Sequence, residues 1–429
     1  MRVLPAVLVV GLVPALSGIS RELGVGPFKL SEALLLLAAG MVLVRRPVPG
    51  QRMRAADLAL LAYAVLGAVC AALHTLTGTS SVGSMLRVGL VPTMLLLTYW
   101  VCSRSVAGRA DLVLVLRWLL VVSVVPAVVA IGQGFDVPGV RGLLLDITDG
   151  GSLAAPGEAG VARVTSVFPD WHTFAAYLLV PTVLAVMLLL RRRRDVLPTH
   201  ALLGILAVDA AALLLTVTAT VASWAVVAVL LLGWRRGQLA RSVTALVAVG
   251  LVGGLLFAGP IASRIAEQRT TTALVENPQY PAVVPQTIVY RLTIWERDYL
   301  PLLERALPRG LSNELPESVL FAHSENAYIT VTLRGGLLLL CAAVLAMVVL
   351  GRDLARWGRR GTLESGVADA LLGVLLFLPV ATMIWPYFTN SGFPQTFFAM
   401  TGAVTGAALA RERTARRTPG LDLRRPVDA

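Results

Sequence analysis

Residues 174–190 carry no charged side chain, and four arginines, Arg191, Arg192, Arg193 and Arg194, follow them directly. An apolar run of this length is too long to be displayed to water and is close to what a helix needs to cross a bilayer. The pattern recurs at 337–350 and in further blocks along the chain, each bounded by a short basic segment. The composition follows from that layout: 56% of residues are hydrophobic and 14% charged, where a soluble domain is nearer a quarter charged. The expected class is an all-α polytopic membrane protein, which excludes a soluble enzyme, a secreted disulfide scaffold and a disordered chain. Cys70, Cys102 and Cys341 lie in or beside apolar blocks and read as small apolar filler.

The blocks fall at 3–19, 28–44, 56–73, 83–101, 112–133, 172–190, 199–215, 219–233, 240–259, 326–350, 367–385 and 393–410, which is about 12 transmembrane helices. The seventh and eighth form one apolar stretch, divided here at 216–220. Charge placement tests that division, because Lys and Arg collect in cytoplasmic segments. With the N-terminus inside, 24 of the 37 basic residues fall in cytoplasmic segments, and the loops 74–82, 216–218 and 386–392 hold none. Merging the two blocks would place 191–194 and Arg235 on opposite faces, so both termini are expected in the cytoplasm. Ala15 and Ser17 before Gly18 form a possible cleavage signature, but many spans follow and an uncleaved first helix is preferred. The net charge of +12 is therefore a topology signal and not a nucleic-acid footprint.

This division gives helices and an outer loop (135–171) over residues 1–259, a large outer loop at 260–325, a last group of helices at 326–410 and a basic cytoplasmic tail at 411–429. The large loop carries aromatic residues and alternating charge, so it is expected to fold, and loops of that length are commonly functional. Residues 291–307 read as an amphipathic helix with Leu292, Trp295, Tyr299, Leu302 and Ala306 on one stripe, kinked at Pro301.

Chemistry on the outer face has no nucleoside triphosphate to draw on, so an activated lipid such as a polyprenyl diphosphate is the natural donor. Guanidinium groups match its phosphate oxygens, and four arginines are candidates. Arg334 lies roughly 12 Å into its span, and an intramembrane charge is a functional candidate by default; snorkelling, or pairing with Glu32 or Glu325, are the alternatives. Arg87 opens the fourth span, Arg163 precedes the sixth, and Arg291 sits in the large loop. His323, where that loop meets the tenth span, has the chemistry of a general base for a sugar hydroxyl, with Glu325 as the competing base. The histidines show no metal-ligand spacing, so no metal or other cofactor is expected. Asp209, inside the seventh span, would suit a proton relay or a hydrogen bond to a neighbouring helix.

In order, Arg291-Leu292-Thr293-Ile294-Trp295, Pro308-Arg309-Gly310, Ala322-His323-Ser324 and Gly335-Gly336 resemble the O-antigen ligase and O-antigen polymerase family of bacterial envelope proteins. The stretch from Arg163 to Pro181, with Phe168-Pro169 and Tyr177-Leu178, looks like that family's segment leading into a middle span. The resemblance covers about 160 to 340. The chain departs from it at Ser324, where Asn is usual, at Trp224 after Ser223, where an arginine is usual, and at a lone Gly310.

The resemblance implies a metal-independent membrane glycosyltransferase of the GT-C type in the bacterial cytoplasmic membrane. It would bind an undecaprenyl-diphosphate-linked glycan through arginines, with Arg163 or Arg334 substituting for the missing one, and His323 would deprotonate the hydroxyl of a glycan, lipid or cell-wall acceptor. The alternatives are a transporter of lipid-linked glycans or small solutes, and a non-catalytic membrane partner.

Overall fold

The computed structural model describes residues 2–26, 28–45, 53–148, 163–256, 258–259, 262, 286–312, 324–358, 362–390 and 392–417. His323 lies outside them, and the side chain of Arg87 is likewise not described. Among the described residues no β-strand forms. A helix occupies each apolar block: α1 Leu4–Ala15, α2 Leu30–Leu43, α3 Ala55–Leu76, α4 Val91–Ser105, α5 Arg109–Gly134, α7 Trp171–Leu190, α8 Thr199–Leu215, α9 Ala219–Arg235, α10 Leu239–Leu256, α13 Ala327–Trp357, α14 Leu363–Ile384 and α15 Phe393–Arg417. The long loops contribute α6 Val140–Ile147, α11 Gln286–Ile294 and α12 Leu300–Ala306. The block that includes residues 216–220 breaks where expected: Thr216 ends α8, Val217 has φ +49°, and Thr218 opens α9.

Five helices, α3, α5, α7, α13 and α14, are long and apolar enough to cross a membrane; α1, α2, α8, α9 and α10 are apolar but shorter. Exposed Leu37, Val65, Val69, Val125, Val128, Leu338 and Val348 give the bundle an apolar outside, which suits hydrocarbon and not water. Helix α7 is apolar all round and buried all round, as such a helix must be. Helices α5, α8, α9, α14 and α15 pack against it.

The loops sort to two ends. At one end Arg109 pairs with Asp195 at 2.7 Å, Arg235 with Asp369 at 3.0 Å and Arg54 with Asp353 at 3.7 Å. There too Arg45 donates to the Arg2 carbonyl at 2.7 Å. This is the arginine end. At the other, the loop end, the Ser20 amide donates to the Ile147 carbonyl at 2.9 Å, and the Ser80 and Ser312 hydroxyls meet at 2.8 Å.

The amphipathic stretch is helical as expected, continuous from Gln286 to Ala306, but the irregularity in it is a π-turn and not a kink at Pro301. A wide π-turn, Trp295–Tyr299, separates α11 from α12, and Pro301 occupies the first turn of α12. Proline has no N–H and is tolerated in a first turn. The extra residue of the π-turn rotates the stripe. Ile294, Tyr299 and Ala306 bury against Ile329 and Leu333, with Trp295 and Leu302 beside them, while Leu292 drops out of the apolar face.

Candidate functional site

Helix α13 is broken at Gly335 and Gly336, whose backbones leave the helical region (φ −153°, ψ 17° and φ +66°, ψ −167°). A break inside an apolar span frees carbonyls and amides that lipid cannot satisfy. Here neighbouring elements take them. The Leu311 amide donates to the Leu333 carbonyl at 2.7 Å, and the Leu337 amide donates to the Leu307 carbonyl at 2.9 Å. His74 Nε2 lies 2.9 Å from the Arg334 carbonyl. The end of α12 thus plugs into the gap. Its approach is so close that a Cβ on Gly336 would sit 2.7 Å from the Leu307 oxygen, and one on Gly310 2.6 Å from the Gly335 nitrogen.

This break positions Arg334. Arg334 lines a narrow crevice with Tyr63, Val88, Gly89, Pro92 and Thr389. Neither acid named as an alternative partner reaches it: Glu32 is held by Arg21 at 2.8 Å and Glu325 by Arg291 at 2.6 Å. Among the described residues Arg334 forms no ion pair. Arg87 belongs to the π-turn Met85–Gly89, whose Val88 and Gly89 border the same crevice.

Arg163 is placed from α5. Gln133 accepts the Thr165 and Ser166 amides at 3.0 and 2.9 Å, and the Ser166 hydroxyl donates to the Pro126 carbonyl at 2.7 Å, holding Ser166 at φ +51°. Phe168 then packs on Phe174 and Tyr177, and Asp170 caps α7 by accepting from the Thr173 amide at 2.8 Å. The Arg163 guanidinium lies over the Trp171 ring, 4.5 Å from its centroid. Stacking uses the flat face and leaves the N–H edge for polar partners. His172, the next residue, stacks on Trp385 at 4.3 Å.

Arg291 is placed from the large loop. The Trp295 indole donates to the Ser324 carbonyl at 2.7 Å, and Asn326 caps α13 by accepting from the Tyr328 and Ile329 amides at 2.9 and 3.2 Å. Between them Glu325 is held at φ +50° and clasps Arg291. Left-handed backbone at a non-glycine residue is uncommon and clusters at functional sites.

The segment 385–389 joins these pieces. Trp385 touches His172, Phe388 touches Tyr63 with ring centroids 6.3 Å apart, and Thr389 lines the same crevice as Arg334. Tyr387, buried against Trp224, lies within electrostatic reach of Asp170, Arg291 and Glu325. Burial first, then Asp170, holds its hydroxyl well above the ordinary tyrosine range. The Trp171 and Trp385 indole nitrogens and the Tyr387 hydroxyl find no hydrogen-bond partner among the described residues. Buried donors without partners are costly unless a ligand or water takes them.

The structure therefore brings Arg163, Arg291 and Glu325 to one neighbourhood, and sets Arg334 across the 385–389 segment from it. Trp171, His172, Trp385 and Tyr387 were not singled out from sequence; the usable signal was aromatic residues at both ends of an uncharged loop. Trp224 is a core residue, fully buried, with its indole donating to the Val374 carbonyl at 2.7 Å. Asp209 takes the second of its two readings: the Ser123 hydroxyl on α5 donates to it at 2.9 Å. Among the described residues no three His, Cys, Asp or Glu side chains gather as metal ligands. Comparison with known proteins finds no family model that matches the chain and no match among curated proteins.

Proposed function

We propose that the protein is a glycosyltransferase of the bacterial cytoplasmic membrane, with about 12 spans, both termini in the cytoplasm and its loop end outside. It transfers a glycan from a polyprenyl-diphosphate donor to an acceptor hydroxyl. The observation that carries this reading is the cluster of cations and partnerless aromatic donors at the head of α7: Arg163 over Trp171, His172 against Trp385, and Tyr387 beside Arg291 and Glu325. Arginines supply the charge that a departing diphosphate needs, without a metal, and indole and phenol groups suit the faces and hydroxyls of sugars.

In the step envisaged, the acceptor oxygen attacks the anomeric carbon as the bond to the diphosphate oxygen breaks. The hydroxyl proton passes to a base, and the lipid diphosphate leaves among the arginines. Glu325 already spends an oxygen on Arg291, so it suits holding that arginine better than accepting a proton. His323 is the assigned base. A second reading, a transporter, draws on the broken helix α13, since discontinuous helices mark substrate sites in transporters.

Purified protein with a lipid-linked oligosaccharide separates the two: a new glycosidic bond supports the enzyme, and movement between leaflets without one supports the transporter. For the enzyme, His323→Ala lowers the rate roughly 10²–10⁴-fold while donor binding persists. Unchanged turnover in that variant removes His323 from the chemistry.

A further inference from the structure

At the arginine end, Arg109, Arg236, Arg241 and the arginine run at 191–194 line a cavity of about 620 Å³. Among the described residues one carboxylate, Asp195, lines it, and Arg109 already holds that group at 2.7 Å. Behind the wall, buried Asp369 is shared by three arginines: Arg235 at 3.0 Å, Arg191 at 3.7 Å, and Arg236. Among the described residues Arg192, Arg194 and Arg241 form no ion pair, so their charge is left unbalanced there. Helix dipoles do not close the gap. Each C-terminus offers roughly half a negative charge; α7 and α9 end here, but α5, α8 and α10 begin at the same end with the opposite sign. Packed like charges repel, and an anion in the cavity relieves them.

The walls indicate which anion. Half-buried Leu190 lines the cavity beside the arginines, above buried Met187 and Leu232. A second crevice of about 420 Å³ shares Arg192, Arg193 and Arg194 with it and continues past half-buried Leu189, above buried Leu188 and Leu202. A cationic pocket opening along leucines fits a headgroup with acyl chains attached. It gives a free phosphate nothing to do on its apolar side.

We infer that this cavity binds the phosphate headgroup of an anionic membrane lipid, with the acyl chains leaving along Leu189 and Leu190. Guanidinium forks take the phosphate oxygens, and the lipid ties α5, α7, α8, α9 and α10 together at this end. The site is remote from the loop-end cluster and does not depend on the function assigned there.

The test uses the full-length protein in a neutral detergent, titrated with dioleoylphosphatidylglycerol, with dioleoylphosphatidylcholine and with inorganic phosphate, read by thermal shift and by bound lipid in native mass spectrometry. Phosphatidylglycerol is expected to bind and raise Tm, while the other two do neither at the same concentration. Arg192, Arg194 and Arg241 are exposed, so the triple variant R192Q/R194Q/R241Q should fold. Losing charge-assisted contacts weakens lipid binding at least about tenfold. A control removing exposed arginines outside the cavity, R352Q/R356Q, keeps wild-type affinity. Equal response to phosphatidylcholine, equal response to free phosphate, or an unchanged affinity in the triple variant each overturns the assignment. Should the triple variant fold poorly, R192K/R194K/R241K keeps the charge and loses the fork; equal binding there together with equal response to free phosphate also overturns it.

Discussion

Replacing Gly336 by alanine tests whether the docking of α12 into the break of α13 holds the loop end together. The native backbone there, φ +66° and ψ −167°, lies in a region that residues with a Cβ essentially do not enter, at a cost of about 1–3 kcal/mol. The added methyl would also meet three backbone atoms: the Leu307 oxygen at 2.7 Å, the Arg309 nitrogen at 2.9 Å and the Ala306 oxygen at 3.0 Å. Backbone cannot swing aside as a side chain can, so the docked turn must withdraw. That breaks the Leu337 amide bond to the Leu307 carbonyl, worth about 1 kcal/mol. The sum is about 2–4 kcal/mol. At roughly 2 °C per kcal/mol, the low end of the scaling because the chain is long, Tm falls by about 4–8 °C.

The control is Gly204→Ala in α8, where a Cβ meets nothing within 4 Å. Helix propensity there favours alanine by about 1 kcal/mol. Thermal melts in detergent give the global effect, and hydrogen exchange at the Leu311 and Leu337 amides reads the dock itself. Both amides should exchange faster in Gly336→Ala and not in Gly204→Ala. If the two variants melt together and the Leu337 amide keeps its protection, the dock is not what holds the break.

Arg291→Gln removes the 2.6 Å ion pair from a Glu325 side chain that is only 19% exposed, so it destabilises by about 1–3 kcal/mol; Glu325→Gln on top recovers part of that loss, and strict additivity in the double-mutant cycle would show the pair to be uncoupled. The Tyr299 and Tyr387 hydroxyls are held above the ordinary range, by burial first and then by Asp298 and Asp170 respectively. A group that keeps its proton longer when folded stabilises fully below its unfolded pKa of about 10 and loses that contribution as pH rises through the folded value; tyrosinate absorbance should therefore rise in a late phase that coincides with falling Tm, and titration of every tyrosine at the ordinary value contradicts this. Glu304 and His200 are both exposed and belong to opposite ends, so in a background without the three native cysteines an impermeant thiol reagent should label Glu304→Cys in intact cells and spare His200→Cys; the reverse pattern inverts the orientation.

The helices were legible in the sequence because their signal is local. A run such as 174–190 has one physical outcome, and the break of the long block at 216–220 is marked by threonines that favour a cap. The π-turn at 295–299 was not legible, since an extra residue per turn changes no composition; only the packing of Ile294 in place of Leu292 reveals it. The candidate site was legible where charge sits in an apolar setting. Arg334 was found that way, while Arg163 was found from its place before the sixth span, Arg291 from its place in the large loop, and Glu325 beside His323. What binds them into a neighbourhood was hidden, because segment 385–389 brings only aromatic and hydroxyl groups, and these are ordinary in a span's rim. Their meaning comes from partners distant in the chain: His172 for Trp385, Arg291 and Glu325 for Tyr387, Arg334 for Thr389. Arg334 shows the limit most sharply. Its sequence position allowed pairing with Glu32 or Glu325, and only the fold shows each of those acids already held by another arginine.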